Sequence, residues 1–253
     1  MLRILVTRPK NQAAAFGESL RQAGFEPVYF PVIEIRPAED TRALDRALAK
    51  LDCYDWIDFT SVNGVDAFWK RLEALKLSGL PPVQEEEVKI AAIGPKTAEA
   101  LQSHGLQPSF VPEAYVAEAI LPGLGDLDGR WVLLLRAEIA RKALPEAIAK
   151  AGGIAHEIAV YHTLPAEPDP QGLAALAAGL DWITFTSPST VACFSEIVRR
   201  HGLDPIHLPG NPRIACIGPI TQQAAQEGGF EVAVVAGEFT TEGLTSAMKN
   251  YIN

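Results

Sequence analysis

The chain has 253 residues, of which 48% are hydrophobic and 21% charged, and this composition is typical of a folded globular protein rather than a disordered one. Its net charge of −9 disfavours nucleic acids and anionic membranes as partners, because both require a basic binding face. The length is sufficient for one large domain or two modest ones.

Taken in chain order, the residues alternate short apolar strands with amphipathic helices. Residues 2–6 are predicted to form a strand, and Ala13, Phe16 and Leu20 then follow at helical spacing, with Gly24 at the position of a helix C-cap. Further extended segments are predicted at 27–35, 55–59, 89–93, 109–111, 131–135, 154–162, 181–185, 213–217 and 231–235. This alternation predicts an α/β fold with doubly wound parallel sheets covered by helices on both faces.

The sequence contains its own pattern twice. Residues 55–61, DWIDFTS, return as DWITFTS at 181–187, and residues 90–97, IAAIGPKT, return as IACIGPIT at 214–221. Residues 115–118 return as 239–242 at the same spacing, and a weaker match relates 5–8 to 133–136. Several segments repeated in one order predict a duplicated α/β unit rather than a solenoid.

Two polar, proline-bearing segments follow the second extended segment of each copy, at residues 35–39 and 163–168. Such composition is typical of linkers between domains. A division near residues 125–128 agrees equally well with the repeat, so the residues alone leave both arrangements open.

The places to look for chemistry in this fold are the corners where a strand passes into a helix. Ligands of doubly wound sheets bind beyond the carboxyl ends of the strands, where helix N-termini favour anionic groups. The candidate corners are residues 7–9, 60–64, 94–97, 136–138, 186–190 and 218–221. None of them carries a phosphate-binding loop, a dinucleotide fingerprint or a serine-hydrolase elbow.

Each candidate side chain has a structural interpretation beside the functional one. Ser61 and Ser187 are expected as helix N-caps, as anion contacts, or as both. Arg8 and Arg136 are either solvated charges at strand ends or partners for a carboxylate, which suits the guanidinium group. Tyr161 is either a packing residue or a phenol that reaches a cleft.

Other features of the sequence indicate where the protein is located and whether it binds a metal. The start of the chain, residues 1–7, is typical of a first strand rather than a signal peptide, and no apolar run approaches the length of a transmembrane helix. The five histidines have no metal-ligand spacing, and the three cysteines lie apart, in or beside apolar runs, as reduced core residues do. We therefore expect a cytoplasmic protein without a metal site.

Together, these corners resemble the uroporphyrinogen-III synthase family over nearly the whole chain. Each motif is weak alone, and their order, spacing and duplication make the resemblance specific. The motifs are Val6-Thr7-Arg8-Pro9, Phe59-Thr60-Ser61, Ile93-Gly94-Pro95-Lys96-Thr97-Ala98, Leu135-Arg136-Ala137-Glu138 with Arg141, Val160-Tyr161-His162-Thr163, Phe185-Thr186-Ser187-Pro188 and Ile217-Gly218-Pro219-Ile220-Thr221.

The resemblance implies two flavodoxin-like α/β domains joined by a two-stranded hinge. One domain is discontinuous, formed by residues 1–35 and 166–253, and the other is inserted as residues 38–162. The hinges are then expected near 36–38 and 163–167, which selects the proline-bearing segments over a division near 125–128.

The resemblance also implies a lyase of porphyrin (haem) biosynthesis. Such an enzyme converts hydroxymethylbilane, a linear tetrapyrrole, to uroporphyrinogen III, with loss of water and inversion of ring D through a spiro intermediate. No metal or organic cofactor and no nucleic-acid or membrane partner is expected, and we expect a monomer. The carboxylate-rich substrate is expected in the cleft between the domains.

Residue roles follow from the same resemblance. Tyr161 matches the family tyrosine that assists departure of the substrate hydroxyl, by proton donation or by hydrogen bonding. Ile220 stands where family members often have a second threonine, so part of that polar contact is absent. The expected substrate-binding residues are Arg8, Thr60, Ser61, Gly94, Lys96, Thr97, Arg136, Arg141, Thr186, Ser187, Gly218 and Thr221.

Two other classes of protein compete with this hypothesis. A non-catalytic two-domain receptor for a carboxylated small molecule would use the same corners. A nucleotide-sugar transferase is disfavoured, because the sequence lacks both a nucleotide fingerprint and metal-binding carboxylates at strand ends.

Overall fold

The structure is a computed structural model that describes residues 1–75, 88–113 and 117–252. The chain divides into two compact units, which we call the first unit (Met1–Glu34 with Leu164–Asn253) and the second unit (Ile35–Thr163). Of the repeated segment 115–118 and 239–242, the second copy is described, whereas residues 115 and 116 of the first copy lie outside the described part of the chain.

The strands lie close to where the sequence predicts them. They are β1 (Arg3–Val6), β2 (Glu26–Tyr29), β3 (Ile33–Pro37), β4 (Trp56–Phe59), β5 (Lys89–Ala92), β6 (Trp131–Ala137), β7 (Ile154–Pro165), β8 (Trp182–Phe185), β9 (Arg213–Cys216) and β10 (Val232–Val235).

Helices follow most of these strands. They are α1 (Lys10–Gln22), α2 (Arg42–Leu48), α3 (Val62–Ala74), α4 (Pro95–Ser103), α5 (Leu121–Leu124), α6 (Ala143–Lys150), α7 (Pro170–Ala178), α8 (Pro188–Arg200), α9 (Pro219–Glu227) and α10 (Thr241–Ile252). Short 3-10 turns occupy Leu51–Cys53 and Ala117–Ile120.

The sheet of the first unit has the strand order β10-β9-β8-β1-β2, and neighbouring strands run parallel. Numbered within the unit, this order is 2-1-3-4-5, which is the flavodoxin-like arrangement. The predicted fold class, a doubly wound parallel α/β protein, is confirmed.

The sheet of the second unit has the order β3-β7-β6-β4-β5, with β5, β4, β6 and β7 parallel. By the sequence repeat, β6, β7, β4 and β5 correspond to β1, β2, β8 and β9, and they hold the same places in their sheet. The strand β3 pairs with the end of β7 in the opposite direction, as the hydrogen bonds from Ala38 N to Val160 O and from Ala166 N to Val32 O show.

Two strand predictions need correction. Residues 109–111 do not form a strand, since only one parallel bridge joins Phe110 to Ala91 of β5. Pro108 and Pro112 bracket this segment and have no N–H to extend a ladder. Residues 27–35 form two strands in different sheets rather than one extended segment, and Pro31 lies between β2 and β3.

The central strands β4 and β8 present no accessible side chain to a ligand along their length. Every residue of β4 and β8 is buried, as expected of parallel strands covered by helices on both faces. Polar side chains that reach a ligand must therefore lie at the ends of the strands, in the corners that precede the helices.

Candidate functional site

Four helices begin directly beyond the carboxyl ends of strands. In the second unit, α3 is N-capped by Ser61 after β4, and α4 by Gly94 after β5. In the first unit, α8 is N-capped by Ser187 after β8, and α9 by Gly218 after β9. Each N-terminus carries backbone N–H groups without helical partners and the positive end of the helix dipole, so each favours an anion.

The N-capping interpretation of the two serines agrees with the structure. Ser61 Oγ accepts a hydrogen bond from Gly64 N at 3.1 Å. Ser187 Oγ accepts one from Thr190 N at 3.2 Å, and Thr190 Oγ1 in turn accepts from the backbone of Thr186 and Ser187. The first turn of α8 is therefore locked by a reciprocal capping box, whereas α3 has glycine at the position of Thr190.

Tyr161 reaches the N-terminus of α3. Its hydroxyl lies 3.0 Å from Ser61 Oγ, although the two residues are 100 positions apart in the chain. The tyrosine is 8% exposed, and its ring packs in the cluster that contains Phe59 and Leu135. Tyr161 therefore both packs in the core and contacts a polar corner. At the matching position, the repeat places an isoleucine, Ile33, in the first unit.

Arg136 is turned into the protein. It is 5% exposed, and its Nη1 donates to Glu157 Oε2 at 3.3 Å while Nη2 donates to the carbonyl oxygen of Arg141 at 2.6 Å. Glu157 also accepts from Lys142 Nζ at 3.2 Å. The guanidinium therefore joins β6 to β7 and to the residues that lead into α6.

The other basic candidates also have protein partners. Arg8 donates from Nη2 to Gln12 Oε1 at 2.6 Å, and burial lowers the pKa of Arg8 while the nearby charge of Glu242 opposes the shift. Lys96 is exposed and lies 3.0 Å from Glu99. Positive charge at these corners is thus spread out and partly compensated.

The sequence-predicted residues fall into two groups, each at the carboxyl edge of one sheet. The second unit carries Thr60, Ser61, Gly94, Lys96, Thr97, Arg136, Arg141 and Tyr161, and the first unit carries Arg8, Thr186, Ser187, Gly218 and Thr221. Thr97 and Thr221 are buried in the first turns of α4 and α9. Ser61 with Tyr161, and Arg136 with the backbone of Arg141, are in direct contact.

Asp58 is a residue that the sequence interpretation missed. It lies on β4, is fully buried, and neither carboxylate oxygen has a hydrogen-bond partner. Burial raises the pKa of Asp58 to about 8, and the charge of Arg136 is a smaller, opposing influence. The sequence repeat could have identified Asp58, because DWIDFTS and DWITFTS differ only at this position. The matching residue, Thr184, donates its hydroxyl to Leu5 O at 2.7 Å.

Neither a metal-binding cluster nor a membrane-spanning helix occurs among the described residues. No group of three or more histidine, cysteine, aspartate or glutamate side chains is arranged to hold a metal ion there. Among the described helices, none is long and apolar enough to cross a membrane.

The fold and the corners define a class, that of flavodoxin-like α/β proteins whose helix N-termini suit an anionic small molecule. A family model described as uroporphyrinogen-III synthase HemD matches residues 14–246. The uroporphyrinogen-III synthase of Synechococcus elongatus is 32% identical over 253 residues, covering 98% of this chain and 94% of that protein. The corresponding enzyme of Chlorobaculum parvum is 34% identical over 244 residues, covering 94% of each chain.

A solved structure agrees with these sequence relatives. The crystal structure of a mutant uroporphyrinogen III synthase from Thermus thermophilus superposes with a TM-score of 0.68, at 22% identity, covering 100% of this chain and 99% of that one. At that identity the match establishes the shared fold. The chain belongs to the uroporphyrinogen-III synthase family, so the predicted family and, with it, the predicted class of enzyme are confirmed.

We predict that Asp58 makes stability depend on pH. The folded pKa of Asp58, about 8, lies above the value of about 3.9 for an unfolded aspartate, so folding favours the protonated carboxyl. The contribution of this group to the free energy of unfolding is therefore fully present below about pH 4. That stabilisation is lost as the pH rises from about 4 to about 8. Asp58→Asn cannot ionise, so its free energy of unfolding should rise relative to the wild type between about pH 5 and 8.5.

Urea unfolding at about pH 5 and about pH 8.5 measures the difference in free energy of unfolding between Asp58→Asn and the wild type. The matched control is Asp66→Asn, at an exposed carboxyl on α3. A difference between wild type and Asp58→Asn that stays constant contradicts the prediction. So does one that moves toward the wild type at high pH, which would indicate an ionised Asp58 paired with Arg136.

Proposed function

We propose that the protein cyclises hydroxymethylbilane to uroporphyrinogen III, acting as a cytoplasmic monomer that needs neither a metal nor an organic cofactor. The observation that carries the proposal is the contact between Ser61 and Tyr161 at an edge where helix N-termini also lie. Membership of the uroporphyrinogen-III synthase family supports the same reaction.

The chemistry requires few catalytic groups. Loss of the hydroxyl group from the bilane gives a resonance-stabilised azafulvene cation, and the difficult part is to direct attack to the substituted carbon of ring D. A site that folds the substrate lowers that barrier through proximity and orientation. Hydroxyl and amide groups that hold the substrate carboxylates supply this orientation.

Tyr161 is the proposed catalytic residue. In this role its phenol donates its proton to the departing hydroxyl group as the C–O bond breaks, so that the group leaves as water, or it donates a hydrogen bond that stabilises the group as it leaves as hydroxide. The tyrosine is held by core packing around its ring, with the hydroxyl at the corner.

Ser61 is the proposed positioning residue for Tyr161. Its Oγ already accepts from Gly64 N, so the serine proton is available to the phenol oxygen 3.0 Å away. When Ser61 donates to Tyr161, the phenol keeps its own proton for the substrate. The N-cap of α3 therefore sets both the position and the donor direction of the tyrosine.

The substrate carboxylates are proposed to bind at the N-terminal turns of α3, α4, α8 and α9. Their hydroxyl and amide donors come from Thr60, Gly94, Thr97, Thr186, Ser187, Gly218 and Thr221 and from the backbone N–H of Ser61, whose hydroxyl is engaged with Tyr161. Arg8, Lys96 and Arg141 are the proposed positive partners. Arg136 is proposed to act through the backbone of Arg141 and through Glu157, because its guanidinium is held by both.

The two compact units are proposed to be the two domains of the enzyme, one discontinuous (1–35 with 166–253) and one inserted (38–162). The linking segments then lie near 36–38 and 163–167. The division of the described residues at Glu34/Ile35 and Thr163/Leu164 supports this proposal.

We predict that Tyr161→Phe slows formation of the type III isomer by at least about tenfold, because a general acid contributes at least that much to such a step. The assay supplies purified protein with enzymatically generated hydroxymethylbilane and resolves isomers I and III by chromatography. Rates like those of the wild type in Tyr161→Phe would remove the tyrosine from the mechanism. If wild-type protein gives isomer I alone, the proposed reaction itself is wrong.

A second prediction separates positioning from capping. Ser61→Ala should lower kcat in the presence of Tyr161 and have little further effect in the Tyr161→Phe background, because the serine acts through the phenol. Asp169→Ala is the matched control, since Asp169 caps α7 through Gln171 N and each cap contributes about 1 kcal/mol to stability.

Both capping variants should therefore lose similar stability, and only Ser61→Ala should lose turnover. Additive effects of Ser61→Ala and Tyr161→Phe on kcat would contradict the positioning role. The same would hold if Asp169→Ala lowered kcat as much as Ser61→Ala does.

A further inference from the structure

The second unit has an open cavity of about 460 Å³ at the opposite end of its sheet from Ser61 and Tyr161. Trp131, the first residue of β6, and His156, near the start of β7, line it together with Tyr54, which lies just before β4. His156 precedes Tyr161 by five positions on one strand, which separates them by about 16 Å. A volume of this size lies within the range of small-molecule sites.

Three rings give the cavity a fixed aromatic wall. Tyr54 stacks on His156 with ring centroids 5.8 Å apart, and it meets Trp131 edge to face at 6.4 Å. Trp131 is 43% exposed, which is unusual for so large an apolar side chain. Part of Trp131 is thus accessible at the cavity that it lines.

The fold does not require these aromatic residues. By the repeat, the first unit has Arg3, Leu180 and Val28 at the positions of Trp131, Tyr54 and His156. The same strand arrangement therefore forms without an aromatic cluster at this end.

Cations border the aromatic wall. Arg46 and Lys50, from the end of α2 and the turn after it, line the cavity. Of the carboxylates near α2, Asp40 pairs with Arg42 and Asp45 with Arg71, and the charge of Arg46 also acts on Asp40. Within the described part of the chain, no ion pair within 4.0 Å engages either Arg46 or Lys50, and no carboxylate lines the cavity.

The polar groups of the aromatic wall add no carboxylate charge to the cavity. Tyr54 and His156 share a hydrogen bond of 2.6 Å between the phenol oxygen and Nδ1. Burial raises the pKa of Tyr54, with the Cys53 thiol as a smaller cause, so the phenol stays protonated at neutral pH and carries no negative charge at the wall.

We propose that this cavity is a second ligand site, which binds a small aromatic carboxylate with its ring against Trp131 and Tyr54. The carboxylate faces Arg46 and Lys50, where charge-assisted hydrogen bonds are available. The site is independent of the reaction proposed above, since it lies at the other end of the sheet.

The test uses 2-naphthoate as the probe, with isothermal titration calorimetry and tryptophan fluorescence as readouts. We expect saturable binding with a Kd below about 1 mM. The double variant Arg46→Gln/Lys50→Gln should bind at least about tenfold more weakly, through loss of the charge-assisted contacts. Trp131→Phe should abolish the fluorescence change.

Two controls localise the effect. Lys70→Gln removes an exposed cation of α3 that does not line the cavity, and it should bind as the wild type does. The neutral analogue 2-naphthalenemethanol should bind at least about tenfold more weakly than the carboxylate. Absence of saturable binding, or equal binding by wild type and the double variant, overturns the proposal, and neither result bears on the isomer assay.

Discussion

The N-terminal turns of four helices, fixed at the carboxyl edges of two parallel sheets, are the feature on which the rest of this structure depends. The strands β4 and β8 are buried at every residue, so their backbones and apolar side chains serve only to hold the next turn in place. The serine or glycine N-cap that follows each strand then places unpaired backbone N–H groups at the edge of the sheet. In the proposed function, recognition of a carboxylated substrate is a consequence of how the core is packed.

The duplication explains how the proposed catalytic contact arises. Each compact unit combines the beginning of one sequence repeat with the end of the other, since β1 and β2 join β8, β9 and β10, while β4 and β5 join β6 and β7. Ser61 belongs to the first copy and Tyr161 to the second, and they meet within one unit. The two copies have also diverged, because Tyr161 and Asp58 are replaced by Ile33 and Thr184 at the matching positions.

Local pattern was enough to predict the strands, the corners and the fold class. Short segments rich in apolar residues, such as 55–59 and its repeat at 181–185, are typical of buried parallel strands. Ser-Pro and Gly-Pro pairs mark helix starts beyond such strands. The strand predicted at 109–111 is wrong, because the flanking prolines lack the N–H donors that a strand ladder needs. Both prolines are visible in the sequence, but the prediction gave more weight to the apolar residues between them. The inward course of Arg136 and the buried carboxyl of Asp58 depend on contacts across strands, which periodicity within one segment does not specify.

Charge gives the most direct test of the central claim, that amides and hydroxyls at helix N-termini, rather than a positive field, hold the substrate. The protein carries a net charge of −9, and its basic corner residues Arg8, Lys96 and Arg136 have protein partners. Long-range forces between this protein and a carboxylate-rich substrate are therefore repulsive, and salt screens them.

The decisive measurement is the dependence of kcat/KM for hydroxymethylbilane on ionic strength, between about 0.02 and 0.3 M. Recognition by neutral donors at short range predicts that kcat/KM stays constant or rises as salt is added. A steep fall over the same range would show that a concentrated positive field captures the substrate, and it would contradict the account.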